Sequence, residues 1–222
     1  MGTRADAETV AVIGLGRFGE AVARKLAVAG REVVVIDPDP DLIAEIAPAV
    51  TLAAQADGTS TQVLRDLSVD ECQCAVVAIG EDLEASILAT AALADLGVPE
   101  IWARATTEAH GRILERVGAH WVVYPEQEMG ARVGQLIFTG MEEYVSFPNG
   151  YALAIMDPPA WSIGQTVEQV GIKGKNGVAV IGLQSAGGAV EFPDPERRIR
   201  RDERLAVAGP TDAVDAFPLA KS

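Results

Sequence analysis

Residues 10–19, V-A-V-I-G-L-G-R-F-G, leave a chain few folds to choose from. An apolar run, residues 10–13, is followed at once by Gly14, Gly16 and Gly19 in G-x-G-x-x-G spacing. An amphipathic stretch comes next, residues 20–29, with Val22, Leu26 and Ala29 at helical spacing. Strand, glycine turn, helix is the order that a dinucleotide site requires. Gly14 permits the tight turn, Gly16 lets the backbone approach a pyrophosphate, and Gly19 lets the helix pack close to the strand. The helix N-terminus then offers free N–H groups and a partial positive charge to phosphate.

A second apolar run, residues 33–36, ends in Asp37, which lies 37 − 14 = 23 positions after Gly14. An acidic residue is expected about 20 positions on, where its carboxylate accepts from the ribose hydroxyls and repels a 2′-phosphate. The expectation is therefore a nucleotide other than NADP, against the alternative of a glycine turn with no ligand. Arg17 falls in the turn between the glycines. A guanidinium there suits a ligand with more negative charge than a pyrophosphate, unless it is simply a solvated loop arginine.

Strand and helix signals alternate as far as residue 124. Apolar runs at 10–13, 33–36, 51–54, 75–79, 101–103 and 121–124 are separated by amphipathic segments at 20–29, 41–46, 60–67, 83–96 and 107–117. Asp41 and Thr107 are candidate helix caps, and Gly30, Gly97 and Gly118 stand where helices stop. This pattern predicts an α/β fold, a Rossmann-like doubly wound parallel sheet, with strands apolar throughout because both faces are covered.

After Pro125 the pattern changes. Residues 126–144 predict one long helix with Val133, Leu136, Ile137 and Met141 along a face, weakened by Gly130, Gly134 and Gly140. Its apolar face calls for cover, which a second copy of the chain supplies. Breakers at 147–150 and 157–159 bracket a strand at 151–156. Short strands at 178–183, 190–192 and 204–208 and weak helices at 166–170 and 212–217 complete a small C-terminal α/β unit. The expected division is a nucleotide-binding domain at 1–126, a crossover helix and linker at 127–150 and a C-terminal domain at 151–222.

A formal net charge of −14 disfavours nucleic acid and anionic lipid as direct partners. The basic run of Arg197, Arg198, Arg200 and Arg201 is diluted by Glu196, Asp202 and Glu203 and reads as a solvated surface turn. No apolar run approaches the roughly 18 residues of a membrane span, and residues 1–9 do not read as a secretory signal. Cys72 and Cys74, the two cysteines, are one residue apart. On a strand both point to one face, which does not suit a disulfide, so they read as core or near-core thiols of a reducing cytoplasm.

Four motifs together carry a resemblance: G-L-G-R-F-G at 14–19, V-V-A-I-G-E-D at 76–82, I-W-A-R-A at 101–105 and Y-P-E-Q-E-M-G at 124–130. With the small C-terminal unit they resemble the RCK (KTN) gating proteins of bacterial potassium uptake systems, the KtrA/KtrC subunits first and TrkA-like relatives next. The resemblance implies that Gly14, Gly16 and Gly19, with Phe18 among them, hold nucleotide phosphates. It puts Asp37 and Pro38 at the ribose, Asp57 and Gly58 by the adenosine, and Ile79, Gly80 and Glu84 around the fourth-strand end. Arg104 matches a basic residue near the phosphates, although it could also pair with Glu108 at the surface. Arg17 matches an arginine that reaches a γ-phosphate across a dimer interface, and Glu126 a glutamate that helps hold Mg²⁺ or Ca²⁺ beside it. From position alone Glu126 is an early-helix carboxylate favoured by the dipole. The implied ligands are ATP and ADP, with NAD(H) as an alternative. In the family the C-terminal unit binds cyclic di-AMP, but here Lys173 stands where an arginine is usual and Glu168 where an apolar residue is usual, which counts against that ligand.

The resemblance implies a cytoplasmic regulatory subunit, a homodimer assembling to an octameric ring, held at the inner face of the membrane by a potassium-translocating partner. An NAD-dependent oxidoreductase is the competing reading. Against it, no substrate domain of adequate size follows, and His110 and His120 read as surface or satisfied histidines. An NAD-sensing transcription regulator lacks a basic DNA-reading helix.

Overall fold

The computed structural model describes residues 8–139, 141–147, 149–171, 177–185 and 188–219. It divides into two compact units, Met1–Gln127 and Glu128–Ser222.

The first unit alternates β1 (Thr9–Ile13), α1 (Arg17–Val28), β2 (Glu32–Asp37), α2 (Pro40–Ile46), β3 (Leu52–Gln55) and α3 (Thr61–Asp66). It continues through β4 (Cys74–Val77), α4 (Leu83–Asp95), β5 (Glu100–Arg104), α5 (Glu108–Arg116) and β6 (Trp121–Val123) into α6 (Pro125–Thr139). The six strands run parallel in the order β3-β2-β1-β4-β5-β6. The order reverses direction between β1 and β4, so loops following these two strands leave to opposite sides and open a crevice at the carboxyl edge.

Both faces of this sheet are covered. Ala11, Ile13, Val34, Ile36, Ala75 and Val77 pack with Leu64, Leu93 and Leu114 on one side. Val10, Val12, Val33, Val35 and Val76 pack with Ala23 and Ile46 on the other. This two-sided burial is why the strands read as unbroken apolar runs. Gly30, Gly97 and Gly118 take positive φ directly after α1, α4 and α5, as stop glycines do.

Several local expectations are corrected. The cap of α2 is Asp39, whose carboxylate accepts from Asp41 N and Leu42 N, because Pro40 occupies the first helical position. Cys72 and Cys74 do not share a face: Cys72 precedes β4 and joins one core, whereas Cys74 opens β4 and packs against the other. Both are free thiols. The helix expected over 126–144 stops at Thr139, and Tyr144 lies in a strand that the helical reading missed, β7 (Glu143–Phe147). Met141, which fits the helical spacing, instead enters the second core. Gly140 lies outside the described residues.

The second unit adds β8 (Tyr151–Met156), α7 (Val167–Val170), β9 (Ala179–Ser185), β10 (Val190–Glu191), β11 (Glu203–Pro210) and α8 (Thr211–Ala216). Its five strands are antiparallel in the order β10-β9-β11-β8-β7. Met141, Tyr144, Met156, Leu183, Leu205, Val214 and Phe217 form its core. The arginine run lies at the surface as expected, with Arg198, Arg200 and Arg201 exposed, but it is also anchored. Arg197 and Arg200 both pair with Glu203, whose side chain has no exposure, and Arg198 donates to the Gly164 carbonyl at 2.6 Å. Among the described residues, no helix is long and apolar enough to cross a membrane.

Candidate functional site

The expected site residues of the first unit follow the carboxyl ends of the parallel strands. The chain leaves β1 through Gly14, whose φ of +95° only glycine adopts without strain. A Cβ on Gly19 would collide with the Gly14 carbonyl oxygen and stand 2.9 Å from the Ala78 Cβ, so glycine is what lets α1 seat against the turn and the β4 end. Gly16 is different. Its backbone, φ −59° and ψ 173°, is open to any residue, and an added Cβ would meet nothing within 4 Å. The fold does not require glycine there, and the space above it lies open to a ligand.

Helix α1 also lacks what its neighbours have. Asp39, Ser60, Asp82 and Thr107 cap α2, α3, α4 and α5 with side-chain oxygens. Gly16 gives α1 no side-chain cap. The first N–H groups of α1 are therefore left to an external acceptor, with the positive end of the helix dipole behind them. Arg17 is the first residue of this helix and not a turn residue as expected; it is exposed, while Phe18 packs against the core.

Asp37 closes the turn from the β2 side. Its Oδ2 accepts from Leu15 N at 2.6 Å and its Oδ1 from Asp39 N at 2.8 Å, and the residue is 8% exposed. The carboxylate thus serves the turn itself as well as the place where a ribose is expected, a double duty that spacing did not reveal. Pro38 is exposed beside it. After β3, Gly58 passes so close that a Cβ would collide with Ile13. Asp57 next to it is exposed, and its Oδ1 accepts from Thr59 N at 2.9 Å and Thr59 Oγ1 at 2.7 Å. The Thr59 N–H, and then its hydroxyl, hold the Asp57 carboxyl below the usual range.

At the other side of the crevice, Ile79 packs into the core and Gly80 lies under the Arg104 guanidinium, which a Cβ on Gly80 would strike. Arg104 pairs with Glu126 and not with Glu108, which stands 3.9 Å from Arg112. The parallel register explains this pairing: Arg104 is opposite Val123, so the chain emerging from β6 brings Glu126 to it. Arg104 is the less exposed partner, 18% against 61% for the Glu126 side chain, and its Nε is buried with no hydrogen-bond partner. The backbone N–H of Glu126, then Arg104 and the charge of Arg17, hold the Glu126 carboxyl below its usual range against the opposing effect of burial. Glu84 is exposed in the first turn of α4.

The crevice therefore gathers a bare helix N-terminus, two arginines, an orphaned guanidinium nitrogen and a carboxylate held ionised. These fit a phosphate-bearing ligand, and the Glu126 carboxylate fits a hard cation at its edge. Among the described residues no group of three or more His, Cys, Asp or Glu could enclose a metal ion by itself, so a cation at Glu126 needs further oxygens from outside that set. The histidines offer no acid–base pair. His120 Nδ1 accepts from Ile101 N at 3.1 Å. His110, expected at the surface or satisfied, is 3% exposed with Nε2 unpartnered, and burial lowers its pKa. Of the C-terminal residues that bear on cyclic di-AMP, Glu168 is exposed in the first turn of α7 and Lys173 lies outside the described residues.

The TrkA-N domain family matches residues 10–125 of the chain. The Ktr system potassium uptake protein A of Vibrio alginolyticus is 31% identical over 205 residues, 92% of this chain and 93% of that protein. The Ktr system potassium uptake protein C of Bacillus subtilis is 30% identical over 208 residues, covering 93% and 94%. Among solved structures, the GsuK RCK domain superposes with a TM-score of 0.66 at 18% identity, over 97% of this chain and 48% of that one. A GsuK channel bound to NAD gives 0.67 at 17% identity, over 99% and 40%. At such identities the two structures establish the fold: a doubly wound parallel sheet followed by a smaller antiparallel α/β unit.

Proposed function

Because the chain belongs to the TrkA-N domain family, we propose that it is the cytosolic regulatory subunit of a Ktr- or Trk-type potassium uptake system, which binds an adenine nucleotide and controls potassium flux through a membrane partner. The relation to two Ktr potassium uptake proteins over more than nine-tenths of the chain supports the system. The observation that carries the ligand is the uncapped N-terminus of α1, with open space above Gly16 and Arg17 and Arg104 nearby in the same unit.

In this reading residues 1–126 bind nucleotide, 127–150 cross over and 151–222 form the C-terminal domain. Gly14, Gly16 and Gly19 bring backbone N–H groups to the phosphates. Asp37 and Pro38 face the ribose, and Asp57 and Gly58 the adenosine side. Ile79, Gly80 and Glu84 border the β4 end. Arg17 and Arg104 neutralise phosphate charge, and Glu126 gives a carboxylate oxygen to Mg²⁺ or Ca²⁺. The cation, when bound, offsets the repulsion between Glu126 and a triphosphate. ATP and ADP are the ligands; NAD(H) has no γ-phosphate and leaves Arg17 and Glu126 without their role. Binding becomes regulation only if ATP and ADP differ in affinity for two shapes of the assembly, a homodimer built into an octameric ring at the inner membrane face. No enzymatic step is assigned. Glu168 and Lys173 weigh against cyclic di-AMP.

Thermal unfolding with ATP, ADP and NADH tests this. A ligand at 100 times its Kd adds about 2.7 kcal/mol of stability. Both ATP and ADP raise the midpoint, and no hydroxy acid or aldehyde supports hydride transfer. Robust NADH turnover would move the protein to the oxidoreductases.

A further inference from the structure

The pairing of Arg104 with Glu126 has a consequence for what the crevice accepts. Arg104 stands over the β4 end: its guanidinium covers Gly80, and its Nε is buried without a partner. One of its two terminal nitrogens, Nη2, is engaged by Glu126. That carboxylate is the second residue of α6 and more exposed than the arginine it holds. A guanidinium presents its donors in one rigid fork, so it cannot keep Nη2 on a carboxylate and present the same edge to a phosphate. Anion and carboxylate therefore compete for one cation.

We propose that the Arg104–Glu126 ion pair is a specificity latch: a nucleotide phosphate binds by displacing Glu126 from Arg104, and a divalent cation carried by the nucleotide favours the exchange by compensating the released carboxylate. The proposal rests on the nucleotide reading above and adds a selection rule to it. A nucleotide with bound cation opens the latch readily; a bare diphosphate must open it unaided. Glu126 is then a negative determinant for cation-free ligands, acting through Arg104. Opening also releases the tie between the β5 end and the first turn of α6.

The test is ADP titration by calorimetry on the full chain with divalent cations chelated. The partly exposed pair sets the scale. Glu126→Gln raises ADP affinity roughly two- to five-fold. Glu81→Gln removes another exposed carboxylate, one residue after Gly80, that no ion pair engages among the described residues. It leaves the affinity unchanged. Equal gains from the two variants overturn the latch, because general repulsion then suffices. In an Arg104→Ala background the Glu126→Gln gain disappears; a double variant that binds ADP better than Arg104→Ala alone also overturns it. The two failures are distinct. If ADP binds but Glu126→Gln brings no gain, the latch alone falls. If neither ATP nor ADP binds any of these proteins, with or without Mg²⁺, the nucleotide reading falls with it.

Discussion

Asp37 at the end of β2 holds the glycine turn after β1 through the Leu15 N–H, at 2.6 Å and across 22 residues of sequence. The bond is buried, with Asp37 at 8% and Leu15 at 2% exposure. Removing the acceptor leaves a buried N–H unpaired, which costs about 1–3 kcal/mol. Asp37→Ala is therefore expected to lose stability of that order in ligand-free protein, read from urea unfolding. A variant as stable as the parent without nucleotide would mean that the carboxylate serves the ligand alone.

Gly16 and Gly19 separate binding from folding. Gly19→Ala forces a Cβ into the Gly14 carbonyl and against the Ala78 side chain. Because backbone must move, the expected cost is about 1–3 kcal/mol, with nucleotide binding weakened as well. Gly16→Ala meets no neighbour and needs no unusual φ. Its stability should stay within about 0.5 kcal/mol of the parent, while ATP and ADP affinity should fall if phosphate approaches Gly16 as proposed, because the new methyl would stand in its way. Urea unfolding paired with nucleotide titration checks both. Equal stability losses in the two variants would contradict this division of roles.

The first unit was legible where structure is local. The glycine turn, the apolar strands and the Thr107 cap each depend on a few adjacent residues, and each stands where expected. The Arg104–Glu126 pair was not legible as a pair, since the partners meet only through the register of β5 against β6. The β7 strand was missed for a physical reason. Val133, Leu136, Ile137 and Met141 keep a helical period, and Met141 is apolar because it enters the second core, not because the helix goes on. The Asp39 cap was misplaced by two residues because a proline is favoured inside the first turn and the cap precedes it. The buried Glu203 beneath the arginine run was hidden because charge dilution in sequence looks the same whether the run is solvated or folded over a carboxylate.

The cysteines give a pH dependence whose sign is fixed. Burial first, then Asp70 and Glu71, push the Cys72 thiol up to about 11 from an ordinary 9.0. Burial first, then mainly Glu100, push Cys74 up to about 11 as well. A pKa raised on folding means that the neutral thiols favour the folded state fully below pH 9, and that this contribution is lost as pH rises through about 11. The urea midpoint should thus decline above pH 9, and less so in a Cys72→Ala, Cys74→Ala double variant. At pH 8 an aromatic disulfide reagent should label the folded protein slowly and the unfolded protein quickly at both positions. Rapid labelling of folded protein would contradict the protonated, sheltered state.

Arg17 is the residue on which discrimination between ATP and ADP is expected to turn. It opens α1 beside the uncapped N–H groups, makes no ion pair among the described residues, and its charge is felt at Glu126. In the proposed site the α- and β-phosphates, common to both nucleotides, meet the backbone and Arg104, so a lost Arg17 should leave ADP affinity nearly unchanged. A charge-assisted hydrogen bond is worth about 1.5–3 kcal/mol, and Arg17→Ala should remove that much from ATP binding alone. Arg17→Lys should restore only part of it, because an ammonium keeps the charge but not the planar fork. Parallel calorimetric titrations of ATP and ADP with Mg²⁺ present read the difference directly. If both nucleotides weaken equally, Arg17 holds a phosphate that the two share, and the γ-phosphate must be sensed elsewhere.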